Sequence, residues 1–149
     1  MINIGIDYHD TFTYNSQYFI ELINNWKYKK YIISGTPERD KKIIEEKLKD
    51  FHIYDKIDGL LVGFDFDKKN MNKDHFLKMA NHKLSLIKRY DISIYYDDNP
   101  FYVSYLRNHN ITVFQTIISD SYIKEYENKD PFFSSHFQKS QFAFLDKMK

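Results

Sequence analysis

Short apolar runs that stop on polar residues alternate along this chain with longer segments whose apolar residues recur at helical spacing. Residues 2–7 (INIGID) read as a strand ending on a carboxylate. Across residues 16–26, Tyr18, Phe19, Leu22, Ile23 and Trp26 fall on one face of a helix. Residues 30–34 (KYIIS) are a second strand, closed by Gly35. Pro37 then stands where a first helical turn accepts proline, and residues 38–51 read as a charged amphipathic helix. A third strand is expected over 58–64, a helix in two pieces over 74–90, a fourth strand over 92–96, a helix over 101–108 and a fifth strand over 111–115. This rhythm predicts βαβ units. The expected fold is therefore α/β: a doubly wound (Rossmann-like) parallel sheet with helices on both faces, its crossovers right-handed.

At 149 residues the chain suits one domain, 1–149, with a core over about 1–118 and a C-terminal aromatic extension over about 119–149. Residues 65–72 read as a loop. After Ser119 the register weakens and Asp130-Pro131 breaks the chain. The aromatics beyond it are expected to cover one edge of the sheet on a terminal helix, with an oligomer interface as the alternative. A hydrophobic share of 42% argues against disorder. The net charge of +1 gives no overall pull toward nucleic acid or membrane, although a local basic patch is compatible with it. With no cysteine, disulfides, thiolate metal sites and a cysteine nucleophile are excluded. The first residues lack the basic and apolar segments of a signal peptide, and no apolar run would span a bilayer, so a soluble cytoplasmic protein is expected.

Ligands of open α/β sheets bind beyond the carboxyl ends of the strands. The polar residues standing there are Asp7, Ser34 and the pair Asp97-Asp98. Any one such aspartate is more often a helix cap. Three strand ends with these residue types, converging in a parallel sheet, point to chemistry.

Those strand ends carry a resemblance. IGIDYHDTFT, with Asp7, His9, Asp10 and Thr11, resembles the first motif of the haloacid dehalogenase (HAD) superfamily. YIISG, with Ser34, resembles the second, and ISIYYDDNP, with Asp97 and Asp98, the fourth. The third motif is a lysine; Lys83 in HKLSLIKRY is the foremost candidate, with Lys88 and Lys78 behind it. The resemblance covers roughly residues 2–115 and implies a HAD-like Mg²⁺-dependent phosphomonoester hydrolase. In it Asp7 would be the nucleophile, forming an aspartyl-phosphate. Mg²⁺ would be held by the Asp7 carboxylate, the His9 carbonyl and Asp97 or Asp98. Ser34 would bond the phosphoryl oxygens, and Lys83 would balance their charge.

His9 departs from the pattern, because phosphatases of the superfamily usually carry there a second aspartate as acid and base. Histidine, with an ordinary pKa of about 6.5, is able to fill both roles. Asp10 stands where the family often has glycine and reads as a turn residue, or as a substitute for the missing acid. Only 26 residues separate Asp7 from Ser34, and the stretch from Gly63 to Lys83 is also short. No cap domain is expected, so the site should be open; resemblance to capless members implies a phosphorylated macromolecule, a nucleotide or nucleic-acid end, or a small phosphoester closed in by an oligomer partner. A HAD-fold protein that has lost turnover and binds a partner is the second reading, with His9 as its main support. A receiver-like protein would place its acidic pair after the first strand, whereas here the pair follows a late one.

Overall fold

Five strands, β1 (Asn3–Asp7), β2 (Lys30–Ile33), β3 (Gly59–Leu61), β4 (Ile92–Asp97) and β5 (Thr112–Gln115), pair in parallel in the order β3-β2-β1-β4-β5. The computed structural model describes residues 1–65, 69, 72–126 and 135–148. From β1 the chain runs outward through β2 to β3, then returns to the other side of β1 for β4 and β5. The order therefore reverses between β1 and β4. In open parallel sheets that reversal opens a crevice at the carboxyl edge.

The apolar strand residues face both ways, as a sheet covered on both sides requires. Ile4, Ile6, Ile32 and Leu60 turn to one face, against Phe19 and Ile23 of α1 (Ser16–Asn25) and Ile44 and Leu48 of α2 (Lys41–Asp50). Tyr31, Ile33, Leu61 and Tyr95 turn to the other face. There they meet Leu84, Leu86 and Ile87 of α3 (Lys73–Arg89) and Leu106 of α4 (Pro100–Asn108). Ile4, Ile6, Ile32 and Ile33 are fully buried, and each such side chain stabilises the fold by roughly 1.5–3 kcal/mol relative to exposure. The β1–β4 register slips between Asn3 and Ile4, so that Ile92 and Tyr95 share one face although three residues apart. A Cβ on Gly5 would come within 3.1 Å of both side chains. Glycine there lets Tyr95 lie close against the central strand.

Three expected elements differ in detail. α3 is one continuous helix rather than two pieces: it holds no proline or glycine, and Met79, Ala80, Lys83, Leu84 and Ile87 make an unbroken buried stripe. Pro37 stays extended (φ −68°, ψ 155°) before a 3₁₀ turn at Glu38–Asp40, so α2 begins only at Lys41. β3 is shorter than expected, with Gly63 at φ +108° turning the chain soon after it. Beyond β5 come α5 (Asp120–Tyr126) and α6 (Ser135–Asp146). The Asp130-Pro131 break, most of the 65–72 loop and the side chains of Phe132, Phe133, Phe137 and Phe144 lie outside the described residues, and with them most of the expected aromatic cover. Among the described residues no helix is long and apolar enough to cross a membrane.

Candidate active site

Asp7 is the last residue of β1 and lies beside the end of β4, since Ile6 pairs with Tyr96. The chain leaves it through a wide turn closed by a hydrogen bond from the Thr13 N–H to the Tyr8 carbonyl (3.1 Å). Within that turn His9 is extended, and Asp10 sits at φ +61°, a conformation aspartate tolerates better than most residues. The Asp10 N–H donates to Thr13 Oγ1 (2.9 Å). The turn leaves His9 exposed and returns Thr11 to the interior. Thr11 Oγ1 stands between Asp7 Oδ2 (3.3 Å) and Asp98 Oδ1 (3.0 Å), with one proton to give.

Lys83 reaches this cluster from α3 with its side chain 3% exposed. Its ammonium donates to Asp7 Oδ1 (3.0 Å), Asp97 Oδ2 (2.6 Å) and Tyr95 Oη (3.2 Å), and stands 4.5 Å from the centre of the Tyr102 ring. Burial alone would lower its pKa. The two carboxylates outweigh that and hold it well above the ordinary value, so Lys83 stays charged. Lys78 instead forms an exposed pair with Asp74, and Lys88 is exposed. Asp97 Oδ1 accepts from the Asn99 N–H (3.0 Å), while the Asn99 side chain caps α4 at the Phe101 N–H (2.9 Å).

Burial pushes Asp97 up to about 6 against the pull of Lys83. It pushes Asp98 well above the carboxylate range, with Asp7 and Asp97 adding repulsion. Asp7, Asp97 and Asp98 each offer an oxygen within 4.8 Å of the others, and all three are buried. With all three ionised, three carboxylates against one ammonium leave two negative charges, a deficit that a divalent cation would fill and so favour the ionised forms. An all-oxygen donor set suits hard divalent cations such as Mg²⁺, Ca²⁺ and Mn²⁺.

A stability test follows from the raised pKa of Asp98. Between its unfolded value of about 3.9 and its higher folded value, the native state binds more protons than the unfolded chain. Metal-free stability should therefore fall as pH rises through that window. Asp98→Asn keeps the acceptor for Thr11 and removes the charge. At pH 7.5 without metal its Tm should rise by roughly 5 °C, and the gain should vanish near pH 4. An equal Tm at both pH values would mean that Asp98 is not under strain from burial.

On the β2 side, Ser34 is fully buried, its Oγ 2.7 Å from Thr36 Oγ1 and 3.3 Å from His9 Nδ1. The Ser34 N–H donates to the Leu61 carbonyl (3.0 Å), which ties this loop to β3. The residues expected from sequence at the three strand ends thus gather at the crevice, with Lys83 joining from the helix. Thr36 and the contacts of Thr11 and Asn99 were not legible as parts of the site. Thr11 is a position of the first motif; its contacts with Asp7 and Asp98 are what the sequence did not show.

No family model matches the sequence, and no curated protein matches it. Solved structures do share the fold. Two chains from structures of the Pnkp1/Rnl/Hen1 RNA repair complex superpose with a TM-score of 0.58 and 18% identity; the matches cover 79% and 80% of this chain. This chain spans only 46% and 44% of their lengths. The core domain of a proposed phosphoglycolate phosphatase from Streptococcus pneumoniae TIGR4 matches at 0.49 with 12% identity, over 87% of this chain and 96% of its own. The superposition on the two RNA repair complex chains shows a shared fold.

Proposed function

We propose that this chain is a HAD-type, Mg²⁺-dependent phosphomonoester hydrolase that works through an aspartyl-phosphate on Asp7. The observation that carries the reading is the meeting of Asp7, Lys83, Asp97 and Asp98 in the crevice where the sheet order reverses. These are the residues that the motif resemblance singled out.

In this mechanism an Asp7 oxygen attacks phosphorus, and the bond to the leaving oxygen breaks as that oxygen takes a proton from the His9 imidazolium. Neutral His9 then removes a proton from water. The water attacks the phosphoaspartate, releasing phosphate and restoring the Asp7 carboxylate. Ser34 and nearby backbone N–H groups bond the phosphoryl oxygens, while its contact with Nδ1 orients the His9 ring. Bound Mg²⁺ would draw charge from the phosphoryl oxygens and bring two anions together. Asp7, the His9 carbonyl and Asp98 would hold it. Asp98 is favoured over Asp97 because both Asp97 oxygens already accept hydrogen bonds, from Lys83 and from the Asn99 N–H.

Nucleic-acid ends and nucleotides are the foremost substrate candidates, since two structural relatives belong to an RNA repair complex. Phosphate should be released from 3′- or 5′-phosphorylated oligonucleotides, or from a nucleotide, in Mg²⁺ and not in EDTA. The second reading is a binding protein without turnover, favoured by His9 in place of the usual aspartate. It prevails if the unaltered chain is inert on every phosphoester while His9→Asp gains activity.

His9 has its own expected result. His9→Ala should cost about 10²–10⁴-fold with a poor leaving group and remove one limb of the pH–rate profile. The loss should be smaller with p-nitrophenyl phosphate, whose leaving group needs little protonation. Equal losses on both substrates with an unchanged profile would make His9 a shape residue.

A further inference from the structure

Asp98 lies one residue beyond β4, past the last ladder pair of Asp97 with Gln115. Two glutamine side chains take its carbonyl. Gln138 on α6, only 2% exposed, donates from Nε2 to the Asp98 carbonyl and to the Thr116 carbonyl, both at 2.6 Å. Its Oε1 accepts from the Ile118 N–H at 2.8 Å. Both donors and the acceptor of this buried amide are thereby engaged. Gln115 Nε2 reaches the same Asp98 carbonyl at 3.3 Å and forms a reciprocal amide pair with Gln141 of α6 (2.8 and 2.9 Å). The Asp98 peptide is thus gripped from β5 and α6, while its carboxylate is held by Thr11.

Resting on the reading of this cluster as a divalent-cation centre, we propose that Gln138 is a positioning residue for that centre. It sets the plane of the Asp98 peptide, and so the distance at which the Asp98 and Asp7 carboxylates share a cation. Partners behind a metal ligand fix its orientation, and their loss typically weakens metal affinity by about 10–100-fold. A residue that merely docked α6 would change stability and leave metal affinity alone.

The test is Mn²⁺ titration calorimetry on the full chain, with Tm measured alongside. Gln138→Leu removes all three hydrogen bonds. Gln138→Glu keeps the acceptor for Ile118 and sets an oxygen against the two carbonyls. Ile123→Ala, at a buried site 4% exposed, loosens C-terminal packing without touching Asp98. Both Gln138 variants should bind Mn²⁺ about 10–100-fold more weakly and need correspondingly more metal for half-maximal phosphate release. Ile123→Ala should lower Tm with unchanged Mn²⁺ affinity. If Gln138→Leu does not fold, Gln138→Glu decides. Unchanged affinity in the folded Gln138 variants, or an equal loss in Ile123→Ala, overturns the inference alone. An unaltered chain that binds no Mn²⁺, or binds it equally after Asp98→Asn, overturns the metal-centre reading along with it.

Discussion

Asp7→Asn is expected to lower turnover of p-nitrophenyl phosphate by on the order of 10⁴-fold or more, into the background of the assay. The amide occupies the same volume but lacks the anion that the proposed mechanism requires for attack on phosphorus. Asp97 does not stand in for it, with one oxygen bound to Lys83 and the other to the Asn99 N–H. The fold should survive, because the amide oxygen would still accept from Lys83 and one buried negative charge would be gone. Circular dichroism and Tm close to those of the unaltered chain would confirm that the loss is chemical. Residual turnover near the original rate would place the reaction at other residues.

The largest expected effect on stability belongs to Lys83→Met. The thioether fills much of the same space but leaves Asp7, Asp97 and Asp98 without their buried cation. Breaking a buried ion pair from one side costs about 3–5 kcal/mol, a large part of the stability of a domain this size. Chemical denaturation without metal at neutral pH should show it. The double variant Lys83→Met/Asp97→Asn should recover a substantial part, because the carboxylate closest to the ammonium no longer sits there uncompensated. Additive losses in the two single variants would show that the pair is not coupled, contrary to its 2.6 Å separation.

How much was legible from sequence depended on how local each determinant was. Asp7, Ser34 and Asp97-Asp98 could be found because each ends an apolar run, and a parallel sheet brings such ends together. Lys83 was found by its place in the motif order. Its burial is a tertiary fact: seventeen residues of helix without a breaker turn it inward on the stripe that carries Ala80, Leu84 and Ile87. The sequence reading split that helix in two, whereas the buried stripe runs through it without a break. Gln138 left no signal at all. A glutamine in an aromatic tail looks like a surface residue until α6 docks beside Asp98 and Thr116. Asp10 was legible as a turn residue, and its left-handed backbone is one that glycine adopts without strain.

The strand order also sets a timetable for synthesis. β1 occupies the middle of the sheet, yet its partner β4 lies more than eighty residues later in the chain. At ribosomal speeds of about 5–20 residues per second, Asp7 emerges roughly 4–15 seconds before Lys83 exists to neutralise it. During that interval β1 can pair with β2 on one side while its other backbone edge stays open. That edge belongs to a strand carrying the apolar Ile4 and Ile6, and an open strand edge is a template for foreign strands. The charge at Asp7, unmatched until Lys83 arrives, gives that edge a built-in guard against such pairing through the same seconds. The carboxylate proposed as the nucleophile would then also serve the nascent chain as a deterrent to aggregation.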